Sequence, residues 1–142
     1  MLKQIPKNIS PQLMKILMEM GHGDEIILAD GNYPAASNAK NLIRCDGLEM
    51  PELLKSILEL FPLDTYVNAA FGLMEVVAGG EIKPKIWNTY EKILEDSKAE
   101  NKVIEKLERF EFYDRGKNAY AIVATGEEAI YANILLRKGV VK

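Results

Sequence analysis

The sequence predicts an α/β fold: a single compact domain with helices flanking a mixed or parallel sheet. Three observations predict it. Apolar residues recur at helical spacing in three windows. Short apolar runs of strand length lie between and after those windows. The two kinds of segment alternate, as they do where helices connect the strands of one sheet. A chain of 142 residues is long enough to bury a sizeable core, and no repeat, low-complexity tract or linker divides it.

Ser10-Pro11 opens the first helix, with serine as N-cap and proline at the first helical position. Leu13, Ile16, Leu17 and Met20 line its apolar face, and Gly21 is placed to end it in a left-handed C-cap. Glu25 to Ala29 reads as a short strand covered on both faces. Asp30-Gly31-Asn32-Tyr33-Pro34 is turn-rich, and Ala35 to Lys40 carries no assignable signal. Asn41 to Cys45 fits a second strand, closed by Asp46-Gly47. Pro51 opens a second helix with Leu53, Leu54, Ile57, Leu58 and Phe61 on its apolar face and Pro62 just past its end.

Tyr66 to Val77 is apolar enough for a buried strand, with a break expected near Gly72 and an end at Gly79-Gly80. Pro84 opens a third helix, with Ile86, Tyr90, Ile93 and Leu94 on one side. After the charged connector Ser97 to Lys102, Val103 to Arg109 fits a strand and Phe110 to Asn118 a short helix. Tyr120 to Ala124 is a strand, Thr125-Gly126-Glu127-Glu128 a turn, and Asn133 to Arg137 the last strand.

Composition narrows the function classes. A net charge of −3 gives no electrostatic footprint for nucleic acid or an anionic membrane. No apolar run approaches the roughly 18 residues of a membrane span, and Met1 to Ser10 lacks the apolar core of a signal peptide. One cysteine, Cys45, cannot form an intrachain disulfide. The expected home is a reducing cytoplasm, with no nucleic-acid or membrane partner.

The common catalytic motifs fail. There is no Gly-Lys-Ser/Thr phosphate loop, and Gly21-His22-Gly23 precedes a strand where a dinucleotide fingerprint follows one. One histidine and one cysteine do not suffice for the usual zinc shell. No nucleophile elbow supports a Ser-His-Asp triad, and Cys45 beside Asp46 reads as a small buried filler.

What remains is the only histidine, His22, between two glycines that permit close approach. Imidazole exchanges protons near neutrality, which suits acid–base work. A helix-terminal histidine interacting with the helix dipole is an equally open reading. Asp30 sits where ligands bind in open α/β sheets, beyond the carboxyl end of a strand, although aspartate also closes turns. Arg109 and Arg115 flank Phe110, Phe112 and Tyr113, which fits core plus solvated charge as well as a ligand site. Tyr131-Ala132-Asn133 is polar where a loop meets the last strand, and can be a turn closed by asparagine.

At Gly21-His22-Gly23-Asp24-Glu25-Ile26-Ile27 the chain resembles the D-ribose pyranase/L-fucose mutarotase family. The resemblance continues through Ile43-Arg44-Cys45-Asp46-Gly47-Leu48 and Arg109-Phe110-Glu111-Phe112-Tyr113-Asp114-Arg115. It ends with Ala121 to Glu127 and with Tyr131 to Val140, and it is weaker from Asn68 to Glu105. The blocks are more similar to the fucose branch. The ribose branch typically carries histidine near the Arg109 position, and this chain has no second histidine.

The resemblance implies a cofactor-free isomerase that interconverts cyclic forms of a free reducing sugar, L-fucose or D-ribose. By matching motif it implies His22 as proton donor. It also implies Asp30, Arg109, Tyr131 and Asn133 as sugar-binding residues, with Ala132 between the last two, and no metal. It implies a homo-oligomer, a ring-shaped decamer. Geometry adds a condition. At about 3.3 Å per residue, an extended segment from Gly23 to Ala29 puts His22 and Asp30 of one chain roughly 20 Å or more apart. A monosaccharide does not bridge that distance. Either the His22 that completes a site comes from a neighbouring subunit, or the chain folds back sharply after Gly23. The rival expectations are ribose pyranase activity, a non-catalytic sugar-binding ring, and a plain α/β subunit of a larger complex.

Overall fold

The computed structural model describes residues 1–77 and 83–142. In chain order, α1 (Pro11–Glu19) leads to β1 (Glu25–Ala29), α2 (Ala35–Asn38), β2 (Leu42–Cys45) and α3 (Met50–Leu60). Then come β3 (Phe71–Met74), α4 (Lys85–Asp96), β4 (Ile104–Leu107), α5 (Arg109–Asn118), β5 (Ala121–Thr125) and β6 (Ile134–Arg137). The six strands form one sheet in the order β2-β5-β1-β6-β3-β4. β1 runs parallel to β5 and β5 to β2, whereas β6 is antiparallel to both β1 and β3. The sheet is therefore mixed.

Alternation along β1 explains the layers. Ile26 and Leu28 join Val123, Ile134, Leu136 and Phe71 under α1, α3 and α4. Ile27 and Ala29 point to the other face, with Ile122, Ala124 and Leu135, under α5 and α2. Ile26 to Ala29 are all 0% exposed, so these four positions disfavour a polar side chain, whereas Glu25 at the start of the strand is only partly buried. Burying each of the larger ones contributes about 1.5–3 kcal/mol.

Ser10 caps α1 as expected, its hydroxyl accepting the Leu13 N–H. The end of that helix corrects the sequence reading. Met20 is already extended, and the left-handed residue is Gly23 (φ 88°). Gly21 is not needed as a left-handed cap because Lys138 covers the helix end, its ammonium donating to the Leu17 and Met20 carbonyls.

The expected strand from Tyr66 to Val77 shrinks to β3, with no break at Gly72. Its first part is diverted because the Asp64 carboxylate accepts the Tyr66 N–H and bends the chain. The Gly79-Gly80 end lies outside the described residues. Arg109 begins α5 instead of ending β4, because the Glu108 side chain accepts the Phe110 and Glu111 N–H groups and caps the helix there. Ala35 to Lys40, unassigned from sequence, holds the one-turn helix α2.

Candidate active site at the two rims of the sheet

Because β6 runs against its neighbours, the carboxyl ends of β1 to β5 share one rim with the start of β6. Asp30, Arg109 and Tyr131-Ala132-Asn133 all lie on this upper rim, following β1, following β4 and preceding β6. The lower rim carries the residues before β1 and after β6, and His22 is there.

The upper rim is tied by long-range hydrogen bonds. Asp30 is buried, and its N–H donates to Asn133 Oδ1 over 2.8 Å. Asp30 Oδ1 accepts the N–H groups of Asn32 and Tyr33, both at 3.0 Å, which closes the turn after β1. Tyr131 adopts a left-handed conformation (φ 55°), uncommon for a residue with a side chain. Two residues of α4 hold it there. Trp87 Nε1 donates to the Tyr131 carbonyl (2.8 Å), and the Tyr90 hydroxyl donates to the Ala132 carbonyl (2.7 Å). Arg109 is exposed, its guanidinium 4.7 Å from the Phe110 ring centre.

At the lower rim a tight turn presents His22. Asp24 N–H donates to the Gly21 carbonyl, and Gly21 N–H donates to Asp24 Oδ2 (2.7 Å). Gly23 N–H donates to the Lys138 carbonyl, and Lys138 N–H to the Asp24 carbonyl, which locks the turn to the end of β6. His22 Nε2 lies 3.1 Å from Asp64 Oδ1, with the side chains 44% and 1% exposed. Arg137 Nε donates to Asp64 Oδ2 (3.0 Å). The Tyr66 ring stands 5.4 Å from the imidazole, centre to centre.

The structure thus brings Asp30, Tyr131, Ala132 and Asn133 together and puts Arg109 on the same rim. It leaves His22 at the opposite end of β1. The chain does not fold back after Gly23, since the extended strand begins at Glu25 and pairs with Arg137. Sequence reading missed Asp64, Trp87 and Tyr90, and gave Arg137 no role. Their contacts span 42 to 73 residues and leave no local periodicity. The one available signal was the Leu63-Asp64-Thr65-Tyr66 stretch, where aspartate favours a turn in an otherwise apolar segment.

The two site carboxylates are tuned in opposite directions. Burial pushes the Asp30 carboxyl above its ordinary value, with a contribution from nearby Glu127, and the N–H groups of Asn32, Ala132 and Tyr33 offset only part. Burial alone would also raise Asp64. The N–H of Tyr66, the Arg137 guanidinium and His22 outweigh it and hold Asp64 below its ordinary value. A depressed folded value gives stability that is complete above the ordinary carboxylate value of about 4 and lost as pH falls through the folded value. A raised one gives stability that fades as pH rises from the ordinary value through the folded value. Asp64→Asn should therefore flatten the rise of the thermal midpoint with pH below about pH 4. Asp30→Asn should steepen the rise just above it. Identical slopes in both variants and the parent chain would contradict these signs.

Comparison with known proteins places this arrangement. Residues 3–141 match the RbsD / FucU transport protein family. The chain belongs to that family. A curated relative, the fucose mutarotase of Mus musculus, is 49% identical, covering 97% of this chain and 94% of its own. Among solved structures, the fucose mutarotase of Streptococcus pneumoniae in complex with L-fucose superposes with a TM-score of 0.94 at 62% identity, covering 99% of this chain and all of that one. The Bacillus subtilis RbsD complexed with D-ribose superposes with a TM-score of 0.74, covering both chains completely. At 23% identity it speaks for the shared fold alone. Within the family, this chain has arginine at position 109 and a single histidine, His22.

Proposed function

We propose that this protein is an L-fucose mutarotase, a cofactor-independent isomerase that interconverts the α and β anomers of free L-fucose. The observation that carries the reading is the full-length likeness to the pneumococcal enzyme solved with L-fucose. The rim geometry supplies the chemistry.

A reducing sugar changes anomer by opening and reclosing its ring. A proton leaves the anomeric hydroxyl, a proton reaches the ring oxygen, and the bond between the anomeric carbon and that oxygen breaks. The carbonyl group rotates and the steps reverse on its other face, with no net gain or loss of protons. His22 delivers the proton to the ring oxygen. Asp30 holds sugar hydroxyls and accepts the anomeric proton, and its raised affinity for protons suits that exchange. Asn133 and Arg109 fix further hydroxyls, Tyr131 offers a ring face, and Ala132 links Tyr131 to Asn133. A positioned acid or base contributes about 10²- to 10⁴-fold.

Since His22 and Asp30 stand at opposite ends of β1, His22 of one subunit completes the site on the upper rim of the next. Exposed apolar side chains at both ends support such a contact: Tyr66 beside His22 at the lower rim, and Phe110 and Ile130, next in sequence to Arg109 and Tyr131, at the upper rim. Two different patches meeting head to tail close into a ring when the rotation allows. The assembly is a ring on this reading; the resemblance to the family implies a homodecamer, and the composition an expected home in the cytoplasm.

The test is NMR magnetisation exchange on L-fucose and, separately, D-ribose at equilibrium. Faster α/β exchange of fucose, absent in His22→Ala although fucose still binds, is the expected result. Acceleration of ribose pyranose–furanose exchange alone makes the protein a pyranase and removes Arg109 as the mark of substrate choice. Binding without acceleration of either sugar makes it a sugar-binding ring.

A further inference from the structure

Glu127 is buried at the upper rim, in the turn after β5, and the chemistry above gives it no part. We propose that Glu127 is a positioning residue of the sugar-binding rim: its carboxylate holds the loop that leads to Tyr131 and Asn133, and its backbone holds the turn that carries Asp30. The inference rests on the reading of Asp30, Tyr131 and Asn133 as sugar-binding residues.

Hydrogen bonds to three segments carry it. Glu127 Oε1 accepts the Ala129 N–H (3.0 Å), at the start of the loop that leads to Tyr131. Oε2 accepts the Met50 N–H (3.0 Å), at the first residue of α3. The Glu127 carbonyl accepts the Gly31 N–H (2.9 Å), just after Asp30. The Glu127 N–H donates to Thr125 Oγ1 (3.2 Å), and that hydroxyl donates to the Ala29 carbonyl (2.7 Å), just before Asp30. Asp30 is thus gripped through both of its neighbours, and its own N–H holds Asn133.

The approach is close on both sides of the turn. A Cβ on Gly31 would lie 3.2 Å from the Glu127 carbonyl oxygen, and one on Gly126 would lie 2.1 Å from the Asp46 carbonyl oxygen. Both oxygens belong to backbone, so no flexible side chain can yield.

The chemical type fits the task. Burying a carboxylate is costly unless it is paired, and no cation among the described residues forms an ion pair with Glu127. A carboxylate offers two acceptor oxygens and no donor, so it takes N–H groups from two segments at once. A glutamine does not. Its carbonyl oxygen accepts one N–H and its NH₂ opposes the other, at a buried site. The Glu127 charge also adds to the burial that raises the proton affinity of Asp30.

The test compares Glu127→Gln, shown to be folded and of parental oligomer size, with Glu128→Gln, the same change of charge at the exposed neighbour. In Glu127→Gln the amides from Ala129 to Asn133 should lose protection from hydrogen exchange, while those of β1 keep theirs. Anomer exchange at saturating L-fucose should fall about tenfold or more, and half-saturation should need about threefold more sugar or beyond. A loss of folded protein lowers the first quantity and leaves the second alone. Glu128→Gln should match the parent in both.

Parental half-saturation in folded Glu127→Gln overturns the proposal. So does an equal loss in Glu128→Gln, which would trace the effect to net charge. A parent protein whose Ala129 amide exchanges as fast as that of Glu128 overturns it without any variant. If Glu127→Gln does not fold, Thr125→Val removes the hydroxyl link to Ala29 and no charge. It should raise half-saturation by about twofold or more, and parental values there overturn the proposal. If Asn133→Ala keeps parental exchange and half-saturation, the reading of the rim falls and the positioning role falls with it. Hydrogen exchange alone then judges whether Glu127 holds the loop.

Discussion

Co-expressing His22→Ala and Asp30→Asn subunits restores anomer exchange that neither variant shows alone. That is the expected result if each site draws His22 from one subunit and Asp30 from the next. With random assembly in equal amounts, half of the subunits keep His22 and half keep Asp30. About one contact in four then joins two intact halves, so roughly a quarter of the parental exchange should return. The geometry behind this is simple. β1 is extended from Glu25 to Ala29 and is flanked by pairing partners along its length, so its two ends cannot approach each other. Verified mixed oligomers with no exchange would place His22 and Asp30 in one site of one chain.

Gly139→Ala is expected to disable the protein although residue 139 touches no sugar in the proposed site. A methyl carbon there would lie 2.8 Å from Asp64 Cα and from the Leu63 carbonyl oxygen, and 2.9 Å from the Asp64 nitrogen. All three are backbone atoms, so no flexible side chain can yield. The Gly139 N–H also donates to the Pro62 carbonyl (2.8 Å), so the crossing of these two segments is fixed from both sides. Relieving the clash means pushing the Pro62–Asp64 segment off the end of β6. Forced overpacking of this kind costs about 1–3 kcal/mol. A catalytic group displaced by about 1 Å can lose 10²-fold in rate. Denaturant unfolding should show the first loss and fucose exchange under folding conditions the second. Parental stability and rate in Gly139→Ala would mean that the Leu63–Lys138 contact does not govern where Asp64 stands.

The legible part of this protein is its local chemistry. Ser10-Pro11 announces α1, the apolar spacing of Leu53 to Leu58 announces α3, and Glu25 to Ala29 is a strand to the residue. In these segments caps, proline and side-chain period all point to the same structure. The reading slipped where one signal stood alone. Tyr66 to Ala70 is as apolar as a strand, but an Asp64 carboxylate beside the chain turns it. Gly21 had the look of a helix cap until a lysine more than a hundred residues away took that task. Arg109 changed element because the Glu108 side chain accepts the Phe110 and Glu111 N–H groups, a cap that the usual preference for Ser, Thr, Asp or Asn does not announce.

The site shows the same division. The sequence by itself determined that the chain alternates helices and strands, that one histidine follows a helix, and that an acid follows a buried strand. It also determined the family to which these residues belong. Only the tertiary structure decided that β6 enters between β1 and β3 in the opposite direction. That choice joins Asp30 to Asn133, 103 residues away, and puts Arg137 beside Asp64 behind His22. The physical reason is range. Period, capping and turn preference act over a few residues and are written into neighbours. Strand order and buried carboxylate partners come from the packing of the whole sheet and have no local imprint.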